Sequence, residues 1–150
     1  MRAIALTMAG LALAVTLAGS RGTLAQENGR TPNVAGKWTG VWTPQDPSGK
    51  PSPYTGAAMR LDCEVTPGKN GGWEAVFEGD CGRPYKYRIK MDGRTVGPAV
   101  LFKGTADLGP MDGGVYDWIG RATDKLFTGF YTSAGSVGTF KLERPKPEAR

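Results

Sequence analysis

Apolar and polar residues alternate with a period of two along most of the chain after residue 36, and Gly or Pro interrupts the alternation every few residues. This pattern predicts short strands with one buried and one solvated face, and it argues against helices longer than a turn or two. We predict eight strands, at residues 37–42, 57–65, 73–79, 85–91, 99–105, 115–122, 125–132 and 138–144.

The third and fourth of these strands pair well when a short loop joins them. Glu74 then opposes Lys90 on one face, while apolar residues meet on the other face. One register therefore satisfies charge and burial together, as expected for a half-buried antiparallel pair. The Asp92-Gly93 dipeptide predicts the next turn, because both residue types tolerate positive φ angles.

The last three strands leave an alternative open. With a two-residue turn between the sixth and seventh strands, Trp118 opposes Gly129. Placing a large side chain opposite a small one fills a narrow barrel interior without clashes. The next hairpin pairs Phe130 with Phe140 on the opposite face. Either a bulge shifts this register, or Phe130 and Phe140 form an exposed aromatic interface together with Trp118 and Tyr131.

Eight short strands without helices to cover them predict an all-β fold. Closure into an antiparallel up-and-down barrel leaves no bare sheet edge, and a two-sheet β-sandwich is the alternative. We place the barrel domain at residues 36–144, after a flexible N-terminal arm at 26–35 and before a C-terminal tail at 145–150.

The first 25 residues have the features of a secretory leader. Arg2 precedes an apolar run over residues 3–18, and small residues precede a cleavage position after Ala25. The run is shorter than the about 20 residues that a membrane-spanning helix needs. Ser20 stands where a lipobox would have its cysteine. We therefore expect a secreted or periplasmic protein that is not lipidated and has no stable membrane anchor.

Charge and composition exclude several classes of function. The chain has 19 Lys and Arg; without Arg2 and Arg21 of the leader, 17 remain against 14 Asp and Glu, a net charge of +3. This interleaved charge indicates a mixed surface and no nucleic-acid partner. The chain contains no His, which rules out most catalytic triads and zinc sites.

Cys63 and Cys81 are the two cysteines of the chain. In an oxidising compartment such a pair predicts one structural disulfide. If the second and third strands turn around Gly72, Cys63 and Cys81 oppose each other. Closing a loop of this length stabilises a fold by about 3 kcal/mol.

The segment GKW at residues 36–38, taken with Arg144 at the end of the last strand, resembles the calycin superfamily of lipocalins and avidins. In that superfamily a G-x-W tryptophan packs against a basic residue of the final strand at the closed end of the barrel. The resemblance implies structural roles for Trp38 and Arg144. The segment GVW at residues 40–42 replaces the polar residues that read biotin in avidins, so biotin is not the implied ligand.

A second resemblance is to the bacterial periplasmic inhibitors of secreted metalloproteases. The segment CEV at residues 63–65, Trp73 and the segment GDC at residues 79–81 are similar to the cysteine and tryptophan pattern of that family. Those inhibitors insert an N-terminal arm into the protease cleft. The resemblance implies that residues 26–35 would be the corresponding wedge.

A Pro-rich segment at residues 43–55 links the first two strands, and its proline content forbids ladder pairing. In calycins this loop lies across the barrel mouth, where it would complete a shallow apolar pocket; a disordered connector is the alternative. The candidate ligand-binding residues are Trp42, Tyr54, Tyr116, Trp118 and Tyr131.

Acidic residues offer the remaining candidate chemistry. Asp107, Asp112 and Asp117 recur every five residues around a Gly-rich stretch, a pattern that suits either calcium or ordinary turns. We expect turns, and neither a metal nor a cofactor.

We expect a monomeric, non-catalytic binding module. The first hypothesis is a protein partner such as a secreted protease, and the second is a small apolar ligand in a calycin-type pocket. The third is a hydrolase that uses paired carboxylates. Its candidates lie on the second and third strands and are Asp62, Glu64, Glu74 and Glu78.

Overall fold

The computed structural model of the protein describes residues 30–45, 48, 59–79 and 87–146. The strands are β1 (Gly36–Gln45), β2 (Met59–Pro67), β3 (Trp73–Gly79), β4 (Tyr87–Val96), β5 (Ala99–Asp107), β6 (Val115–Ala122), β7 (Leu126–Thr132) and β8 (Val137–Glu143). Short 3₁₀ turns lie at Lys69–Gly71 and Pro110–Asp112. All eight predicted strands are confirmed, with ends that differ by a few residues.

The sheet is a closed antiparallel barrel in which every strand pairs with the next and β8 pairs with β1. The predicted up-and-down barrel is confirmed, and the sandwich alternative is wrong. Closure gives every strand two neighbours, so the sheet has no free edge. Residues 108–114 and 133–136 connect strands at one end, which we call the mouth. The opposite end, where β1 begins, is the base.

The β3–β4 register differs from the predicted one by two residues. Glu78 opposes Arg88, and Glu74 opposes Asp92 rather than Lys90. An even shift keeps every side chain on its predicted face, because side chains alternate with a period of two. Lys90 Nζ still lies 2.7 Å from Glu74 Oε2, as a diagonal ion pair.

The predicted turn at Asp92-Gly93 is wrong, because both residues lie inside β4. Gly93 opposes Phe102 of β5, and a Cβ at Gly93 would collide with the Phe102 ring. Gly93, inside β4, therefore leaves room for the Phe102 ring of the neighbouring strand. The chain turns instead at residues 97 and 98, where Gly97 has a φ of 56°.

The β7–β8 register differs from the predicted one by a single residue, and this odd shift changes the faces. Phe140 opposes Gly129 and points inward, with 3% of its surface exposed, whereas Phe130 is 51% exposed on the outside. The exposed aromatic interface predicted for Phe130 and Phe140 is therefore wrong. Trp118 and Tyr131 are buried as well.

Aromatic rings fill the interior in two layers. In the layer nearer the base, the Phe127 ring centroid lies 4.9–5.9 Å from those of four other rings. These neighbours are Trp38, Phe77, Phe102 and Phe140. The layer nearer the mouth consists of tryptophan and tyrosine and is described below.

The segment before β1 closes the base. Val34 is completely buried, and its carbonyl oxygen accepts a hydrogen bond from Trp38 Nε1 at 2.9 Å. The backbone amide of Asn33 donates to Asp124 Oδ1 at 2.6 Å. Residues 33–35, at the end of the predicted arm, are therefore held against the barrel by these contacts. Residues 26–29 of the arm lie outside the described residues.

Arg144, directly after β8, holds this segment in place. Its Cζ lies 3.9 Å from the centroid of the Trp38 ring, a cation–π contact. Its guanidinium also donates to the carbonyl oxygens of Ala35 at 2.7 Å and of Asn33 at 2.5 Å. A planar, multiply donating group can stack and bond in this way at once. The predicted structural pairing of Trp38 with Arg144 is confirmed.

Cys63 is a free thiol buried in the core, and the predicted Cys63–Cys81 disulfide is not formed in this structure. The β2–β3 turn is centred near Asn70, which has a φ of 55°, and Phe77 consequently opposes Cys63. Cys81 lies outside the described residues. Burial, and to a smaller degree Glu64, raises the pKa of the Cys63 thiol well above its ordinary value of 9.0.

We expect Arg144→Ala to lower the free energy of unfolding by about 2–4 kcal/mol, because it removes the stacked cation and leaves carbonyl groups without donors. Urea unfolding followed by Trp fluorescence measures the change. Arg144→Lys should lose most of the same energy, since an ammonium cannot stack and bridge two carbonyls. Lys125→Ala, an exposed cation in a neighbouring turn, is the control.

We expect Cys63 to stay unmodified by N-ethylmaleimide in the folded protein, because the thiol is buried and protonated. In concentrated urea without reductant it should become alkylated, which mass spectrometry of the Cys63 peptide detects. Protection that persists in urea until a reductant is added would show a disulfide and contradict the free thiol.

Candidate functional site

Four aromatic side chains converge inside the mouth of the barrel. Trp42 comes from β1, Tyr116 and Trp118 come from β6, and Tyr131 comes from β7. We call these four residues the mouth cluster. All four belong to the predicted ligand-binding set, and the structure brings them together. The fifth member of that set, Tyr54, lies outside the described residues.

Tyr131 is the centre of the mouth cluster. Its ring centroid lies 4.5 Å from that of Trp118 and 5.8 Å from those of Tyr116 and Trp42. Tyr131 and Trp118 are almost completely buried, whereas Trp42 is half-buried. A group entering from the mouth would therefore meet Trp42 before it reached Tyr131.

Glycines make room for the tyrosine rings. Gly138 opposes Tyr131 across β7 and β8, and a Cβ at Gly138 would collide with the tyrosine ring and hydroxyl. A Cβ at Gly113, in the β5–β6 connection, would likewise collide with the hydroxyl of Tyr116. The positions of both hydroxyls thus depend on missing side chains in adjacent segments.

Two polar atoms of the mouth cluster have no hydrogen-bond partner among the described residues. They are the indole nitrogen of Trp118 and the hydroxyl oxygen of Tyr131, both buried. A buried polar group without a partner costs about 1–3 kcal/mol. Tyrosine and tryptophan are usually placed where their polar ends find a partner. The cluster therefore has hydrogen-bonding capacity in reserve, and a bound molecule or an ordered water could use it.

Burial also determines the protonation of Tyr131. Loss of solvent raises the pKa of its hydroxyl well above the ordinary value of 10.0, and the nearby Tyr116 adds to this effect. The hydroxyl is thus neutral over the whole physiological range. It can donate one hydrogen bond and accept others.

The two layers of the core differ in chemistry. The layer at the base consists of phenylalanines and Trp38, whose indole nitrogen is bonded to a backbone carbonyl. The layer at the mouth combines ring surface with unbonded donors. Such a combination suits a flat, largely apolar group that carries a hydrogen-bond acceptor, and it offers no nucleophile or general base.

The aspartates around the β5–β6 connection do not converge. Asp107 Oδ1 accepts a hydrogen bond from the amide of Gly109 at 2.9 Å, and Asp117 Oδ1 accepts one from Thr105 Oγ1 at 2.8 Å. Within the described part of the chain, no group of three acidic or cysteine side chains lies close enough to hold a metal ion. Asp107 acts as the turn residue that the sequence predicts.

Three of the candidate carboxylates, Asp62, Glu64 and Glu78, line an open groove of about 420 Å³ on the outer wall that also contains Lys37 and Arg88. Glu74 lies apart from them, in an ion pair with Lys90. Asp62 accepts hydrogen bonds from Thr39 Oγ1 at 2.8 Å and from Arg60 Nε at 2.8 Å. Paired in this way, these acids resemble a salt-bridged surface more than a catalytic dyad.

Sequence reasoning did not single out the apolar residues Leu101 and Ile119 on the outer wall, which are 46% and 50% exposed. Both stand at positions where strand alternation predicts an outward side chain. Ile119 opposes Phe130, so the two form one exposed pair. The alternation along each strand predicts that these side chains point outward, but only the registers of neighbouring strands bring them together.

Comparison with known proteins identifies no relative. The chain matches no protein-family model, and no curated protein or solved structure is significantly similar to it. Over residues 30–45, 48, 59–79 and 87–146, no helix is long and apolar enough to cross a membrane.

We expect Tyr131→Phe to stabilise the ligand-free protein by about 1 kcal/mol, because it removes an unbonded buried hydroxyl. It should also weaken the loss of stability at alkaline pH. The unfolded chain releases the Tyr131 proton near pH 10.0, while the folded chain retains it, so stability falls as the pH rises above that value. Urea titrations at neutral and alkaline pH measure both effects.

Tyr116→Phe is the matched control, because the Tyr116 hydroxyl is not among the buried, unbonded polar atoms of the described residues. A clear destabilisation by Tyr131→Phe would mean that the hydroxyl already has a partner, such as an ordered water.

Proposed function

We propose that the protein is an exported, non-catalytic binding protein whose site is the mouth cluster. Its ligand is a small, flat, largely apolar molecule with at least one hydrogen-bond acceptor. The observation that carries the proposal is the pair of buried, unbonded polar atoms on Trp118 and Tyr131. Export rests on the leader at residues 1–25, which lies outside the described residues.

The ligand class follows from the surfaces it would meet. The rings of Trp42, Tyr116 and Tyr131 offer stacking area, which favours a planar apolar body. Trp118 Nε1 is a donor only, so the facing atom of the ligand must be an acceptor. The Tyr131 hydroxyl can donate a hydrogen bond to an acceptor of the ligand or accept one from a donor.

Two further considerations support small-molecule binding over the protease-inhibitor hypothesis. An eight-stranded closed barrel is an architecture that can hold one small ligand among its interior side chains. In addition, Arg144 binds the carbonyl groups of Asn33 and Ala35 at the base. This part of the inferred wedge is therefore not free to enter a protease cleft.

The test uses the naphthalene sulfonate dye ANS, which combines flat rings with acceptor oxygens. We expect ANS fluorescence to rise on binding at the mouth and Trp emission to be quenched. Trp118→Phe and Tyr131→Phe should each weaken ANS binding by about tenfold, equivalent to one hydrogen bond of about 1.4 kcal/mol. Compounds from a small-molecule library that displace ANS would then define the ligand.

Trp73→Phe is the matched control, because Trp73 lies near the base and donates instead to Thr95 Oγ1 at 3.1 Å. It should leave ANS affinity unchanged. ANS binding that is insensitive to Trp118→Phe and Tyr131→Phe, or that disappears in Ile119→Asp on the outer wall, would overturn the proposal.

A further inference from the structure

A row of apolar side chains crosses the outer wall of the barrel, away from the mouth cluster. Val96 at the end of β4, Leu101 in β5, Ile119 in β6 and Phe130 in β7 are each between 46% and 51% exposed. Ile119 and Phe130 oppose each other directly. We call these four residues the outer apolar row. It is independent of the proposed ligand site.

Part of this row lines a shallow groove of about 410 Å³. Val96, Leu101 and Ile119 form apolar walls, and the buried ring of Phe102 lies beneath them. Asp92 is the acidic residue of the lining. A groove of this size accommodates one or two protruding side chains from another molecule.

Cations alternate with the apolar side chains. Leu101 stands between Arg94 and Arg121 across the strands, and Lys103 opposes Ile119. All three cations are exposed, and none forms an ion pair or hydrogen bond with a described residue. Asp92 opposes Lys103 across β4 and β5, whereas no acid opposes Arg94 or Arg121, so the charge of the two arginines is available to a partner.

The opposite wall has a different charge arrangement. Two of its acids oppose cations of the neighbouring strands, Glu64 facing Lys37 and Glu78 facing Arg88. Each of these cations thus faces an acid. Arg94 and Arg121 at the outer apolar row face no acid across the strands, so they form a positive field beside the apolar strip.

We propose that the outer apolar row and its cations Arg94 and Arg121 form a docking surface for an acidic amphipathic segment of a partner protein. Apolar side chains of that segment enter the groove, and Asp or Glu beside them meet the two arginines. A closed barrel has no free strand edge for backbone pairing, so recognition uses side chains.

The geometry favours a protein segment over a membrane surface. The four apolar residues lie along strands and stand half-covered beside a concave groove, whereas residues that insert into lipid project from the surface. A second copy of this chain is a poorer fit, because two positive rims would meet in a symmetric contact, and the described residues of β2 and β3 include no exposed large apolar side chain.

A random peptide library displayed on phage tests the proposal, with selection on the full-length protein and counter-selection on Ile119→Asp. We expect the selected peptides to combine Asp or Glu with Leu or Phe. Their affinity should fall at least about tenfold in Ile119→Asp, as for a central contact residue, and should decrease with added salt. In Arg94→Glu/Arg121→Glu, a peptide with its acids changed to Lys should regain binding.

Val115→Asp is the matched control, because Val115 is equally exposed on the same strand but closer to the mouth. It should leave peptide binding unchanged. The proposal is overturned if the peptides are not acidic or bind the Ile119→Asp variant equally well. It is also overturned if vesicles of anionic lipid bind through Ile119 while peptides do not, or if Ile119→Asp converts a dimer to a monomer.

Discussion

The interior of an eight-stranded barrel is narrow, and this protein fills it by placing large rings over glycines of adjoining strands. Phe102 lies over Gly93, Phe140 over Gly129 and Tyr131 over Gly138, and a Cβ at any of these glycines would collide with the ring. Both the hydrocarbon layer at the base and the mouth cluster depend on this complementarity. A packed interior of this kind tolerates little change in volume.

The two ends of the barrel satisfy their polar groups differently. At the base, Arg144 stacks on Trp38 and bonds the carbonyl groups of the preceding segment, so burial there is balanced by hydrogen bonds. At the mouth, Trp118 and Tyr131 bury donors that have no partner among the described residues. The hydrogen bonds at the base stabilise the fold, whereas the donors at the mouth lower its stability unless a water or another molecule bonds them.

The outer wall of the barrel also differs from one side to the other, in its charge and in its exposed apolar residues. On the side of β2 and β3, Glu64 and Glu78 each oppose a cation, whereas the side of β4 to β6 combines arginines that no acid opposes with exposed apolar residues. Because the barrel is closed, its inner and outer surfaces do not share side chains. Small-ligand binding at the mouth and protein docking on the wall can therefore be tested, and can vary, independently.

Much of this architecture is readable from the sequence. Period-two alternation indicated the eight strands and, apart from the β7–β8 hairpin, their faces. The GKW segment with Arg144 indicated the contact at the base, and the aromatic residues of the mouth cluster were recognisable as candidates. Registers were not readable, because alternation is unchanged by even shifts and turn conformations such as that of Asn70 set the cross-strand partners. Only the tertiary structure therefore paired Cys63 with Phe77, turned Phe140 inward and aligned Ile119 with Phe130.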